Sequence, residues 1–492
     1  MTILALLLIP LLASAVTVVM RGVRRMEVVY LVSAAGSFLA AVWLAADVLK
    51  QGPVTWAGGF FYADHLSALV ALLTAFVYLV SAPYAVGYFR RDAEQPASVI
   101  GARKLRKYYA LTPLFGFSMF LVVVSNNLGV MWMAVEGTTL ASIFLVTFYG
   151  RGTSLEAAWK YAILAGVGLS MALFGTVLTY YAAHQVLGGE SLSVLNWSVL
   201  AASAVHFDKT VMRLSFILVL LGYGTKAGMA PMHTWKPDAY SEAPVPVSTL
   251  LATAVVNCAL YALARFYVLT GLCTGSSFAS QLLVIFGLLS IGIAVPFILV
   301  QRSYRRLLAY SSIDHGGIMV LGLGFGGALG ALGMLLHMTF YSVTKPLLFF
   351  CAGNAQQLTG NDSLKKAPGG LLHSLPVSGP MFLLAALALT GTPPFSLFQS
   401  EFTILRAGFA AQRIGAVIVF VVFVVAIFCG FFYHIANLIF GAPNGGPRGE
   451  FSRWKTYPVI VLSLIVVILA FWLPTPVYAL IEGASRILVV EP

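Results

Sequence analysis

Uninterrupted apolar runs of bilayer-spanning length constrain this chain more than any other feature. The stretch from 414 to 440 holds no Asp, Glu, Lys or Arg, and similar runs recur along all 492 residues. About 20 apolar residues in a helix cross the ~30 Å hydrocarbon layer. No water reaches backbone N–H and C=O groups there, so only helices and closed barrels span it. Alternating barrel-strand patterning is absent, which leaves a helical bundle. Composition agrees: 60% of the residues are hydrophobic and 9% are charged, against roughly 25% charged in soluble domains. The expectation is an all-α integral membrane protein, and a soluble enzyme with a large core is excluded.

Fourteen candidate spans cover approximately residues 2–20, 27–49, 64–88, 108–125, 128–149, 157–183, 211–231, 242–270, 279–300, 305–325, 328–350, 375–405 (broken), 411–440 and 457–480. The first imitates a signal peptide, but Arg21, Arg24 and Arg25 follow its apolar run and no small-residue cleavage site ends it. Threading alternate loops separates the positive charges. One side collects Arg21, Arg24, Arg25, Arg90, Arg91, Arg103, Lys104, Arg106, Lys107, Arg151, Lys160, Lys236, Arg302, Arg305, Arg306, Lys365, Lys366, Arg448, Arg453 and Lys455. The other keeps only Lys50, Lys209, Arg213, Arg406, Arg413 and Arg486. The positive-inside rule makes the rich side cytoplasmic and puts both termini on the outer face of the cell's inner membrane.

The longest polar stretches, near 89–107, 184–209 and 354–374, leave no room for a built-in catalytic module. Residues 1–492 therefore read as one polytopic membrane domain. Cys258, Cys273, Cys351 and Cys429 stand singly and form no ligand cluster, so neither a metal nor an iron–sulfur site is expected. No GxGxxG follows a strand, and no cofactor is expected. The net charge of +12 is explained by the basic face of a membrane protein, not by nucleic acid.

Ionisable residues inside the spans are few. A lone charge in hydrocarbon costs roughly 2.5–3.5 kcal/mol on the insertion scale, so each is a functional candidate. Lys226 lies in the apolar run 216–231, and Glu136 lies mid-span in Met131-Trp-Met-Ala-Val-Glu-Gly. Opposite charges in two spans can pair and switch between ionic and neutral states; a packing role is the alternative for each. Asp314 and His315 sit in the tenth span. In the eleventh, His337, Tyr341 and Lys345 fall on one helical face, each ~6 Å along from the last, as a line of titratable and hydroxyl groups. Glu401 follows the twelfth-span run from Leu389 to Ser400.

Prolines interrupt two spans. Pro231 breaks the seventh, beside His233, Lys236, Asp238 and Glu242; Gly391, Pro393 and Pro394 break the twelfth. Paired interrupted helices point to inverted repeats. Spans 4–8 (108–270) and 9–13 (279–440) are each five helices, with the broken helix fourth in each set. Plainer roles cover other candidates. Asp64 and His65 cap the third span, Arg265 snorkels to the outer interface, Asp238 and Glu242 cap the short helix after the break, and the 415–440 run faces lipid or packs.

The run Lys226-Ala-Gly-Met-Ala-Pro-Met-His-Thr-Trp-Lys-Pro-Asp-Ala-Tyr-Ser-Glu-Ala-Pro-Val-Pro-Val-Ser resembles the signature of the antiporter-like subunits of respiratory complex I. The same family includes Mrp cation/proton antiporters and the membrane arms of energy-converting hydrogenases. Val135-Glu-Gly, Leu307-Leu-Ala-Tyr-Ser-Ser-Ile and Lys345-Pro-Leu-Leu-Phe support the likeness, which covers nearly the whole chain. Gly391-Thr-Pro-Pro-Phe followed by Ser400-Glu-Phe-Thr-Ile-Leu is most similar to the hydrogenase-4 component F branch.

The resemblance implies a proton relay through Glu136, Lys226, His337, Lys345 and Glu401. Glu136 and Lys226 match the family's glutamate–lysine pair, Lys345 its central lysine, and His337 an adjacent histidine. Glu401 stands where many members have a terminal lysine, which inverts the charge at the last site. His233, Asp238, Asn257, Asp314, His315 and Tyr341 are secondary candidates. Many members place a histidine in span eight; here only Thr253 and Asn257 are available, so water is expected to bridge Lys226 to Lys345. The implied function is proton translocation within a redox-driven complex of the group 4 hydrogenase or complex I kind. The chain would not be catalytic alone; its partners would be other membrane subunits, a peripheral redox module and the lipid bilayer. An Mrp-type Na⁺/H⁺ antiporter subunit is the first alternative, and a non-conducting scaffold for catalytic subunits is the second.

Overall fold

Helices satisfy their own backbone groups, and the chain uses little else. The computed structural model describes residues 1–94, 100–188, 192–364, 370–440, 448–450 and 452–490. In chain order the helices are α1 (Thr2–Val19), α2 (Val23–Gln51), α3 (His65–Ala93), α4 (Ala102–Val124), α5 (Leu128–Val146), α6 (Gly152–Leu187) and α7 (Trp197–Ser203). Next come α8 (Lys209–Ala227), α9 (Trp235–Glu242), α10 (Val245–Ala252), α11 (Ala254–Thr274), α12 (Ser276–Leu299), α13 (Tyr304–Phe325) and α14 (Gly327–Thr359). The last are α15 (Leu371–Ser374), α16 (Ser378–Leu389), α17 (Ser396–Ala410), α18 (Ile414–Phe440), α19 (Arg453–Phe471) and α20 (Thr475–Leu488). One two-stranded hairpin, β1 (Val54–Trp56) against β2 (Phe61–Ala63), joins α2 to α3. Among the described residues, 12 helical runs are long and apolar enough to cross a membrane, counting Val245–Thr274 as one. The all-α membrane fold stands.

Polar side chains start several helices by accepting from their free N–H groups. Asp64 accepts from Ser67 N, Asn127 from Gly129 N and Val130 N, Asp208 from Val211 N, and Ser303 from Arg306 N. Between helices in lipid there is no hydrophobic driving force, so close approach through small residues supplies the contact. On α8, a Cβ added to Gly222 would lie 2.5 Å from Ala172 Cβ of α6. On α13, one added to Gly317 would lie 2.8 Å from the Gly287 carbonyl of α12. Meanwhile α18 leaves Ile414, Ile418, Val422 and Val425 exposed, a stripe at helical spacing suited to lipid. The innermost helices are α10–α11, α13 and α14, and these carry Asn257, Asp314, His315, His337 and Lys345 among their buried residues.

Several expected boundaries change. The seventh span stops at Ala227, where Gly228 takes a left-handed φ of 73°, and does not reach Pro231. The reason is local: Pro231 has no N–H to offer the Ala227 carbonyl, and its ring would clash with it. The eighth span is not continuous; it divides at Thr253 (φ −116°, ψ −73°) into α10 and α11. The proposed span 457–480 joins two separate helices, because Pro474 begins α20.

The charge assignment needs correction too. Arg265 does not snorkel: it is buried and grips Asp64 with both terminal nitrogens at 2.7 Å. Its guanidinium also lies 4.2 Å from the centroid of the Trp197 ring. Lys236, Lys455 and Arg305, counted as loop cations, are buried as well. Lys365 and Lys366 lie outside the described residues.

Removing one partner of a buried pair strands the other, at roughly 3–5 kcal/mol. Arg265→Leu should therefore lower the thermal unfolding midpoint of the detergent-solubilised protein more than the double change Asp64→Asn/Arg265→Leu does. Equal midpoints for the two variants would show the pair to be unimportant.

Candidate functional site

The site begins at the last turn of α8. Lys226 is 1% exposed, and its Nζ donates to Thr139 Oγ1 of α5 at 2.8 Å and to the Tyr161 hydroxyl of α6 at 2.7 Å. Tyr161 also shares a hydrogen bond with Ser142 Oγ at 2.9 Å and stacks on Trp235 at 4.4 Å. Trp235 Nε1 in turn donates to the Thr225 carbonyl at 2.9 Å. The short helix after the break is thereby folded back against the lysine it follows.

The expected direct pair of Glu136 with Lys226 is not made. Among the described residues no carboxylate oxygen lies within the 4.0 Å ion-pair limit of Lys226. Thr139, one turn along α5 from Glu136, takes the contact instead. Glu136 is half-buried, and its Oε2 has no hydrogen-bond partner. The two groups still interact electrostatically. Removing an ammonium from water costs several kcal/mol, and two neutral hydroxyls offset only part of that. Lys226 is thus held in place without being locked in a salt bridge.

The second half is built on α13, α14 and α17. Lys345 Nζ donates to the Leu308 carbonyl at 2.8 Å and to Ser311 Oγ at 2.6 Å. One turn beyond Ser311, His315 Nδ1 lies 2.9 Å from His337 Nε2. His337 Nδ1 lies 3.0 Å from Ser400 Oγ. Glu401 follows directly, and its ligand oxygen sits within 4.8 Å of the histidine nitrogens. The carboxylate fits because residue 391 is glycine at φ 65°: a Cβ there would collide with it. Ser311, Asp314, His315, Thr390 and Glu401 border a cavity of about 10 Å³, near the lower limit for one water. Asp314 Oδ1, also buried, has no hydrogen-bond partner.

A neutral imidazole has one N–H donor and one lone-pair acceptor. Two imidazoles in contact, flanked by a hydroxyl and a carboxyl, can pass a proton by accepting at one nitrogen and releasing from the other. His315, His337 and Glu401 are also the described residues whose ligand atoms cluster tightly enough for a metal ion. Three of the four imidazole nitrogens are already engaged, with each other and with Ser400, which suits proton transfer better than ligation.

The secondary candidates divide. Tyr341 faces His315, with ring centroids 5.2 Å apart, and its hydroxyl donates to the Ala252 carbonyl at 3.0 Å. Asn257 donates to Ser342 Oγ at 2.8 Å. His233 is buried with Nδ1 unpartnered. Asp238 sits in the first turn of α9 without making a capping hydrogen bond, and it does not join the buried line. It bridges Lys160 at 3.2 Å and Arg306 at 2.8 Å near the surface, and Glu242 accepts from Thr153 at 2.8 Å.

Sequence reasoning missed Lys236, Thr139, Tyr161 and Ser311. The hydroxyl residues carry no signal of their own. Lys236 carries one, ten residues after Lys226, but its polar neighbours disguise it as a loop cation.

With this geometry in hand, the likenesses to known proteins are specific. Residues 125–428, which hold every core relay candidate, match the family described as NADH:quinone oxidoreductase/Mrp antiporter, transmembrane. A hydrogenase-4 component F homolog from Methylacidiphilum infernorum (isolate V4) is 36% identical over 409 residues, 83% of this chain and 84% of that protein. Among solved structures, the membrane-bound sulfane sulfur reductase, an archaeal respiratory membrane complex, contains a chain with TM-score 0.87 and 24% identity, matched over 99% of this chain and 98% of that one. The Mrp complex from Dietzia sp. DQ12-45-1b contains one with TM-score 0.85 and 21% identity, over 98% and 96%.

Losing a buried hydrogen-bond partner costs about 1–3 kcal/mol. Tyr161→Phe should lower thermal stability by that order and, combined with Lys226→Met, show a coupling of about 0.5–3 kcal/mol in a double-mutant cycle. Strict additivity would mean that Tyr161 does not hold Lys226.

Proposed function

The chain belongs to the NADH:quinone oxidoreductase/Mrp antiporter family of membrane proteins, and on that premise we propose how it moves protons. It is an antiporter-like, proton-translocating subunit of a multisubunit membrane complex. A proton enters from the arginine-rich side, read as cytoplasmic, and reaches Lys226 near Glu136. It then passes to Lys345, through His315 and His337, and leaves past Glu401 to the outer side, where both termini lie. The energy comes from a redox module on partner subunits, and the membrane is the cell's inner membrane.

The observation that carries this reading is the buried hydrogen-bonded series Lys345–Ser311, His315–His337 and His337–Ser400, ending beside Glu401. A non-conducting scaffold has no use for such groups, each costly to bury. Residues 108–270 and 279–440 are read as inverted five-helix repeats. In support, each broken helix has a left-handed glycine followed by proline, Gly228 before Pro231 and Gly391 before Pro393 and Pro394. Each break also lies beside a relay candidate, Lys226 or Glu401.

Lys226→Ala in the assembled complex should abolish proton translocation while subunit content stays normal. Pumping at the unsubstituted rate would sink the proposal. A cation/proton antiporter subunit is the second reading, favoured by the Mrp half of the family description. Proteoliposomes separate the two: Na⁺-dependent proton movement without electron transfer supports the antiporter, and proton movement that needs electron transfer and ignores Na⁺ supports the redox-driven pump.

A further inference from the structure

Lys236 is a buried titratable group that the relay just described does not use. It is fully buried, on α9, between the two halves of the site. Its Nζ donates to the Ala227 carbonyl at 2.8 Å, next in sequence to Lys226. It also donates to the Ser312 carbonyl at 3.1 Å, next in sequence to the Ser311 that holds Lys345. Its electrostatic reach extends to both Lys345 and His315. No described carboxylate lies within the 4.0 Å ion-pair limit of it.

The surroundings are shaped for this side chain. Pro231 cannot supply the N–H that the Ala227 carbonyl would meet in a continued helix, which frees that carbonyl for Lys236. Gly228 leaves room for the stem: a Cβ there would stand 2.5 Å from Lys236 Cδ and 3.2 Å from Nζ. The Ala227 carbonyl closes α8 and so lies at the negative end of its dipole, which favours a cation. Arginine-like fixed charge is not what the site demands, however. A neutral amine has two N–H bonds and one lone pair, and two carbonyls are present to receive those two bonds. Adding a proton to the lone pair makes a third N–H without disturbing either hydrogen bond. The site therefore holds Nζ in one place in both protonation states.

We infer that Lys236 is the connecting proton carrier between Lys226 and Lys345. In the step, an N–H bond breaks at the donor on the Lys226 side and one forms at the Lys236 lone pair. That third N–H then breaks as an N–H forms at the Lys345 amine lone pair, and Lys236 returns to the neutral amine. The gap in span eight, with only Thr253 and Asn257, is thus served by a lysine from the broken seventh helix.

This inference rests on the proton-translocation reading, and one set of variants of the assembled complex keeps the two apart. Lys236→Gln keeps two N–H donors for the carbonyls and loses the titratable amine. Lys236→Arg keeps the charge but cannot release a proton at working pH, and Lys236→Met keeps only the stem. Proton translocation per electron turnover is measured beside subunit content and thermal midpoint. Translocation should fall at least about tenfold in all three, as expected for a lost proton-transfer group, with subunit content unchanged in Lys236→Gln. Full translocation in assembled Lys236→Gln or Lys236→Arg would overturn the inference, since a hydrogen-bonding clip or a fixed charge would then suffice. If those variants pump while Lys226→Ala does not, only the role of Lys236 falls. If all of them pump, the translocation reading falls with it.

Discussion

A carbonyl freed at a helix break has no water to turn to inside a membrane bundle, and this constraint organises the site. An unpaired backbone group in hydrocarbon costs several kcal/mol, so each break recruits a polar side chain. Lys236 answers the Ala227 carbonyl, Tyr240 the Leu251 carbonyl at 2.8 Å, and Tyr341 the Ala252 carbonyl at 3.0 Å. These breaks bring lysine and tyrosine side chains to the middle of the bundle, beside Lys226 and Lys345. Structure and candidate transport line draw on the same polar groups.

Each lysine here is restrained by neutral partners: hydroxyls for Lys226, carbonyls for Lys236, one of each for Lys345. Contrast Arg265 on Asp64, with two hydrogen bonds of 2.7 Å from an always-charged guanidinium. That pair fastens α3 to α11 and does not change state. Lysines held by neutral groups lack a fixed counter-charge and can exchange a proton without breaking an ion pair. The chain thus places permanent charge where it needs a fastener and titratable charge along the proposed proton path.

Legibility in the sequence followed contrast. Lys226, Lys345, His337 and Glu136 stood out because apolar neighbours made them anomalous, and the brackets of Pro231 and Pro393–Pro394 marked both broken helices. Lys236 and Lys455 were misread because polar neighbours surround them and positive charge in a loop is ordinary. Arg265 was read as snorkelling because its partner is 201 residues away. Thr139, Tyr161 and Ser311 were invisible, since a hydroxyl in a helix costs little and announces nothing. The division of the eighth span at Thr253 has no proline to signal it.

By itself the sequence determined the solvent, the helical class and which side chains are too costly to be accidental, because hydropathy and the price of a buried charge are properties of residues. It also determined that the seventh and twelfth spans must be interrupted, because proline's missing N–H is covalent, though not the residue at which each helix ends. Only the tertiary structure decided who meets whom. It separated Glu136 from Lys226 with Thr139, joined His315 to His337, and folded α9 back so that Lys236 lies between two helices. Those outcomes depend on helix crossings set by close contacts such as Gly222 on Ala172 and Gly317 on Gly287, which no single segment encodes.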